Sequence, residues 1–590
     1  MDKNVVLAIV LSILIVIGGV TVQTKFFPTK PEKQNAQKTE QTATSPVNEA
    51  TKAGESATDT VVINEPSSGV SPSTQVEDLN IAEQRDVIET PLVRVEFSNR
   101  GGDIVSFKLK QHSTKSDYVE MAEYVNENNR AFSVILGDAN GAPVNQLFNV
   151  KKISETEIGF YRPFTVQNAD GSTSSFTLVK QYSFKPDDYM FELKVTVDGD
   201  ASFSGLKMGQ SAYTIKTSPQ IGPEWNVKQD KYEYRKFYHY ANGKKKVTSI
   251  GNGQEKTFTD AISWSGVTGK YFALLVLPES PVQGIQYSSV SSNPENPINQ
   301  IFLSRAPITA NRNTDTWKVY IGPRTEKFLS KYNIAMNNPY GIADARLDEV
   351  VDSSGPLGPL ELLLKKIMEL FYLMVPNWGV SIILLTVLTR IILFPLTKKS
   401  SEATLKMQEL QPRIQEIQEK YRGNPQKMNE EMAKFYKTVG YNPLSGCLPL
   451  LIQFPLIFAM YNLFNNYFEF RGAMFIPGWI PDLSTGDSVM TFPFVLPLLK
   501  WTDLRLLPII YVISQLLFGK VTQTPNATQQ NASMKIMLYG MPLFFFFIFY
   551  NAPSGLLLYW TFSNLLTLVQ QVIINRMMHR KKESGLKIVK

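Results

Sequence analysis

Apolar residues fall along this chain in three textures, and each predicts a different kind of element. Residues 5–22 are apolar except at Ser12 and Thr21. A run of about twenty apolar residues crosses a bilayer core of about 30 Å, so this segment predicts a helix that spans nearly upright. The following residues, GGVTVQTKFF, offer no A-x-A cleavage site, so residues 1–25 read as an uncleaved anchor rather than a signal peptide. From 88 to 345 the period drops to two. Val93, Val95 and Phe97 alternate with polar residues, NRGG turns the chain, and Val105, Phe107 and Leu109 alternate again. Phe191, Leu193, Val195 and Val197 repeat the pattern after a KPDD turn. Long segments of helical period are absent here, which predicts a β-sandwich.

Beyond Pro356 the pattern becomes helical and strongly apolar. Residues 356–374 form an amphipathic helix, with Leu360, Leu363, Leu364, Ile367, Leu370 and Phe371 on one side and Glu361, Lys365, Lys366 and Glu369 on the other. Such a helix suits the membrane interface better than a span. Five spanning candidates follow within 376–575, at 376–396, 447–465, 504–519, 536–551 and 555–575. The apolar stretch 489–499 is too short to span and is expected to dip into or lie on the outer interface. Between the first two spans, Met407, Leu410, Ile414, Ile417 and Tyr421 step by three and four, as do Met428, Met432, Phe435 and Val439. YRGNPQ separates the two series, so 398–440 predicts a helical coiled-coil hairpin, with Pro412 kinking or delaying its first helix.

Composition divides the chain in the same places. Residues 28–85 contain no aromatic residue, and 26–87 reads as a linker too polar to offset its ordering entropy. The whole chain is therefore multi-domain, α and β, and its mean hydropathy of −0.12 averages unlike parts. The net charge of +7 is too mild for a DNA-binding protein. It is unevenly placed. Loop 397–443 carries nine Lys and Arg, the tail from 575 carries six, and loop 466–505 carries three. The excess of cations places the first loop and the basic tail, 576–590, in the cytoplasm; alternation then puts the β domain outside and both termini inside.

Candidate chemistry is sparse. One cysteine, Cys447, and three widely spaced histidines give little basis for a metal or nucleophilic centre, and none is expected. The motifs of metalloproteases, α/β-hydrolases and P-loop enzymes are missing, so an enzyme is not expected. Asn526 and Asn531 fit N-x-[ST] but fall in a loop assigned to the cytoplasm, where the match means little. Arg390 is the informative residue. It lies twelve residues after Trp378 and eight before Lys398. There it costs at least ~2.5 kcal/mol in hydrocarbon, unless it faces a wet cavity or snorkels to the headgroups. Thr386, one turn earlier on the same face, extends a polar stripe. Gln453, Asn462, Ser514, Gln515, Ser563, Asn564, Gln570 and Gln571 are the other polar residues of the spans, each alone more typical of helix–helix adhesion. Asn564 shares a face with Trp560. No acidic residue lies in the core of a clear span, so Arg390 is expected to lie in a hydrated groove. A small-molecule transporter or channel is the alternative, and a scaffold with a ligand-binding β domain is a third reading.

At this point longer motifs carry a resemblance. LTRIILFPLTKKS, the loop MQELQPRIQEIQEKYRGNPQKMNEEMAKFYK, VGYNPLSGCLPLLIQFPLIFAMYNL and APSGLLLYWTFSNLLTLVQQ resemble, in that order, the YidC/Oxa/Alb family of membrane protein insertases. The β domain, with NRGGDI and WKVYIGP, is similar to the periplasmic domain of the Gram-negative type. The resemblance implies a multi-pass protein of the bacterial inner membrane, without a cofactor, whose groove opens to cytoplasm and lipid. Arg390 takes the place of the family's groove arginine, and Gln453 and Trp560 match groove-lining positions. Gln515 and Asn564 are carried as further candidates for substrate contact. Implied partners are nascent membrane proteins, membrane lipids, the Sec translocon and, through the hairpin and basic tail, the ribosome. The insert at 486–505 departs from the family pattern.

Overall fold

The structure, a computed structural model, describes residues 81–112, 118–225, 232–290, 297–352, 355–441, 448–496, 501–522 and 539–583. The anchor at 1–25, most of the linker at 26–87, Cys447, Asn526, Asn531 and the last residues of the tail lie outside these.

The alternating segments form a sheet-rich region. Its largest sheet has nine antiparallel strands, with Arg312–Pro323 at its centre and Lys244–Thr248 and Asn149–Ser154 at its edges. A five-stranded sheet packs on it through ring pairs, Phe237 stacking on Tyr287 at 4.6 Å and Trp317 donating its indole N–H to the Tyr213 hydroxyl at 3.3 Å. A four-stranded sheet brings Phe97 against Phe160 and Tyr182. Phe191, Leu193, Val195 and Val197 are fully buried, as their two-residue period requires.

The second alternation is broken. Phe107 and Leu109 are buried, but Val105 is only half-buried and Ile104 takes its place in the core. The pairing explains this: Glu96 opposes Ser106, while Phe97 opposes Ile104, so Val105 is the extra residue of a bulge. One inserted residue flips every side chain beyond it to the other face. The folded region also begins earlier than composition indicates, because Arg85–Glu89 pairs with Val93–Ser98. It ends later, with Leu347 and Val350 in the core.

The NRGGD turn is more than a connection. Gly101 and Gly102 both have positive φ, 71° and 61°, and a Cβ on Gly102 would lie 2.7 Å from Phe160. That backbone delivers Asp103 into the core, where it pairs with Lys180 and, at 3.0 Å, with Arg130. Lys180 also donates to the carbonyls of Gly101 and Phe132, so the buried charges are hydrogen-bonded as well as paired.

The C-terminal region is helical, with α1 Gly358–Met374, α2 Trp378–Lys420, α3 Pro425–Thr438, α4 Leu448–Asn466, α5 Leu507–Thr522, α6 Met541–Phe549 and α7 Ser554–Glu583 among the described residues. Among the described residues, Trp378–Ala403 and Ser554–Met578 are long and apolar enough to cross a membrane; Leu507–Lys520 is a shorter apolar helix. Two differences from the sequence pattern stand out. The helix starting at Trp378 does not stop before the hairpin but continues through Pro395 and Pro412 to Lys420. A proline removes its own N–H from the ladder, and the remaining bonds carry the helix past it. Helix α5 starts at Leu507 rather than 504, because Asp503–Leu504 pairs antiparallel with Met490–Thr491.

Helix α1 shows Leu362, Leu363, Leu370, Leu373 and Met374 to the outside. Its Glu361 accepts from the Asn462 amide at 2.7 Å and Glu369 from the Tyr467 hydroxyl at 3.0 Å, so its polar side holds α4. The turn after α4 then enters the sheet region. Phe468 is 6% exposed and belongs to the sheet region's core, edge-on to His112 at 4.9 Å and to Phe272 at 5.7 Å. Arg471 lies over the Phe272 ring and donates to the His112 carbonyl. Lys270 reaches Asn465 at 3.4 Å.

Burial, with the nearby charge of Arg471 adding to it, depresses the His112 imidazolium from 6.5 to about 4. As pH falls from 6.5 towards 4, the unfolded chain takes up this proton before the folded one does. The stability this residue contributes is therefore complete above 6.5 and lost through that window. Between about pH 7 and about pH 4.5, wild type should lose more of its melting temperature than a His112→Gln variant. Equal losses would show that another group sets the acid sensitivity.

Candidate functional site

Helix α2 starts on Asn377, whose side chain accepts from the Val380 N–H at 3.1 Å. Its first ring, Trp378, stacks on Tyr372 at 4.0 Å and meets Tyr467 edge-on at 5.2 Å. These contacts fix the end of α2 nearest the sheet region. Arg390 follows about 18 Å along the axis, at 1.5 Å per residue. It is half-buried, and its guanidinium donates to the Ser563 hydroxyl of α7 through Nε at 3.1 Å and through Nη2. Gln570 of α7 donates to the Arg390 carbonyl at 3.0 Å. No carboxylate forms an ion pair with Arg390 among the described residues.

The other candidates are spread over α2, α4, α5 and α7. Asn564 donates to Ser514 of α5 at 3.2 Å. Trp560 packs between three helices, with Tyr461 of α4 at 6.4 Å, Tyr511 of α5 at 6.0 Å and Phe549 of α6 at 4.6 Å. Gln515 donates to the Tyr511 hydroxyl at 3.0 Å, which joins it to that aromatic group. Gln453 is half-buried on α4, eight residues before Tyr461. Thr386 is fully buried and gives its hydroxyl to the Ile382 carbonyl at 2.6 Å, the usual fate of a threonine within a helix. It adds no polar surface beside Arg390.

Burial is graded along α7. Every residue from Ala552 to Tyr559 is buried, while Leu565, Val569, Ile573 and Met577 are exposed at a spacing of four. The end of α7 that meets the sheet region is thus packed on every side, while beyond Tyr559 one face of the helix is exposed. Tyr461, Tyr511 and Asp487 do not emerge from the sequence pattern. Asp487 is fully buried and accepts from the indole of Trp479 at 2.9 Å and the backbone N–H groups of Leu506 and Leu507 at 2.8 and 2.9 Å. It caps α5 from twenty residues upstream, a separation no local signal reveals. The insert is held beside it by Trp501 stacked on Tyr550 and by Asp503, which accepts from Ser488, Thr491 and Thr502. Among the described residues, no group of three His, Cys, Asp or Glu is placed to hold a metal ion.

Comparison with known proteins covers both regions. The family described as 60Kd inner membrane protein matches residues 370–582, and the YidC periplasmic domain family matches 85–353. The membrane protein insertase YidC of Treponema denticola is 54% identical over 98% of this chain and 100% of its own length. That of Treponema pallidum is 45% identical over 99% and 100%. A solved structure, an active YidC insertase with its first transmembrane domain resolved, covers 83% of this chain and 92% of its own at 19% identity and a TM-score of 0.33.

Replacing Asp487 by alanine removes the cap of α5 and strands buried donors, at about 2 kcal/mol in total. The melting temperature of the full chain should fall accordingly, with Asp487→Asn falling less. An unchanged midpoint for Asp487→Ala would show that solvent replaces the carboxylate.

Proposed function

This chain belongs to the YidC family of membrane protein insertases, and on that premise we propose that Arg390 is the group that receives the polar part of a nascent helix. The observation that carries this is the partner of its guanidinium: a neutral hydroxyl, Ser563, rather than a carboxylate. A serine satisfies donors without neutralising charge, so the field of the arginine remains available to water and to passing acidic groups. A fixed ion pair would have consumed it.

The graded burial of α7 gives the direction. With the packed end outward and the basic end in the cytoplasm, polar residues enter the groove from the cytoplasm and find a shortened path through hydrocarbon. Apolar residues of the same helix leave sideways, each Leu, Ile or Phe at the centre gaining about 0.3–0.6 kcal/mol in lipid. No covalent step is required. Trp560, with Tyr461 and Tyr511, forms the wall that stops polar groups from passing further; Asn564, Gln515 and Gln453 flank it. In this reading the core has five spans, with α4, α5 and α6 completing α2 and α7, and α1 lies in the outer interface. The sheet region is periplasmic, both termini are cytoplasmic, and the hairpin of α2 and α3 is a coiled coil. That hairpin and the basic tail are docking surfaces for ribosomes, and the Sec translocon is a partner for multi-span substrates.

The test is insertion of a short single-span substrate with an acidic outer tail into vesicles containing the full chain. Arg390→Ala should slow insertion by about tenfold, equivalent to ~1.4 kcal/mol of lost charge stabilisation, and Arg390→Lys should recover part of it. Insertion by Arg390→Ala at the wild-type rate would remove the arginine from the mechanism.

A further inference from the structure

Helices α2 and α7 are joined at Arg390–Ser563, at Gln570 and again where Ser401 donates to Gln571 at 3.0 Å. Beside that last bond lies a cavity of about 240 Å³ lined by Lys398, Glu402, Ile574, Met577, Met578 and Arg580. We propose that this cavity binds the phosphodiester headgroup of an anionic phospholipid.

Three observations converge on that occupant. Two cations, Lys398 and Arg580, share the cavity with one carboxylate, Glu402, so its net charge is positive. Lys399 and Arg576, on the same two helices, are exposed nearby and add to the attraction. The remaining lining is apolar, which suits a lipid and not a nucleic acid, whose phosphates are flanked by polar sugars. The exposed series Leu565, Val569, Ile573 and Met577 then runs along α7 into the cavity wall. Its twelve residues cover about 18 Å, close to the ~15 Å depth of one leaflet's hydrocarbon, half of a ~30 Å core. A headgroup in the cavity would lay an acyl chain along that stripe. Basic pockets between membrane helices recognise anionic headgroups by this combination of charge and adjoining apolar surface. The bound lipid would fix the depth of the α2–α7 pair, and so of Arg390, relative to the headgroups.

This inference rests on the reading that α2 and α7 span a bilayer with their basic ends at headgroup level. The experiment uses the full chain in detergent, equilibrated with phosphatidylglycerol or phosphatidylcholine and examined by native mass spectrometry. Wild type should retain phosphatidylglycerol in preference to phosphatidylcholine. Lys398→Gln with Arg580→Gln should weaken that retention by about fivefold for each cation removed. Glu402→Gln, which removes the competing carboxylate, should strengthen it, and this single change serves if the double variant folds poorly. Equal retention of the two lipids, unchanged retention in the double variant, or equal competition by inorganic phosphate would overturn the proposal. Displacement of the lipid by an acidic substrate peptide would assign the cavity to cargo and overturn it as well. Arg390→Ala should keep the lipid preference while insertion falls, so this inference and the proposed function fail on separate readouts.

Discussion

Polar groups inside hydrocarbon must be satisfied by the protein itself, and the helical half of this chain is organised around that constraint. Arg390 is its most demanding case. Its guanidinium meets Ser563, its carbonyl meets Gln570, and about three turns further along α2 Ser401 meets Gln571. Asn564 meets Ser514 on the other side of α7. Each bond is individually modest, roughly 0.6 kcal/mol for a typical interhelical contact in a membrane. Together they set which helix faces which and leave one full charge unpaired by any carboxylate among the described residues. Helix α7 is the common member of all four contacts, and so the polar crossing is built as much by its serine, asparagine and glutamines as by the arginine.

The sheet region acts on this arrangement through one narrow joint. Phe468 is shared between the two halves: it sits in the turn leaving α4 yet is buried in the core of the sheets. Arg471 and Lys270 add polar contacts on either side of it. Burial lowers the Lys270 ammonium to about 8, with Glu233 and Asp482 only partly offsetting it, so the joint holds charges at a cost. A rigid body of stacked sheets thereby clamps the end of α4 and, through Tyr467 and Trp378, the start of α2. The packed end of the bundle owes its closure in part to residues outside the bundle.

Periodicity made the regular elements legible. Phe191 to Val197 are read correctly because every second residue faces one core, and α7 because its apolar run is long. Val105 is misread because a bulge is invisible to any fixed period, and the extent of α2 because its apolar run stops before Lys398 while the helix does not. The candidate site shows the same limit. Arg390 announces itself by its cost, whereas Ser563, 173 residues away in sequence, is one polar residue among several until the fold brings it within 3.1 Å. Asp487 and Phe468 act on elements far from themselves in the chain, and nothing in their local surroundings marks them.

The unbroken course of α2 has a mechanical consequence. Forty-three residues at 1.5 Å each make a rod of about 65 Å, with Arg390 some 45 Å from the tip at Lys420. The rod is pinned at Trp378, at Arg390 and at Ser401, so its last nineteen residues, about 29 Å, form an arm that runs on beyond the bonds to α7. A tilt of about 5° of that arm moves its tip by about 2.5 Å. Pro412, which lacks one bond of the ladder, lies on that arm, and Pro395 lies between two of the pins. A load at the Lys420 end meets the Ser401–Gln571 bond before it meets the charged crossing at Arg390.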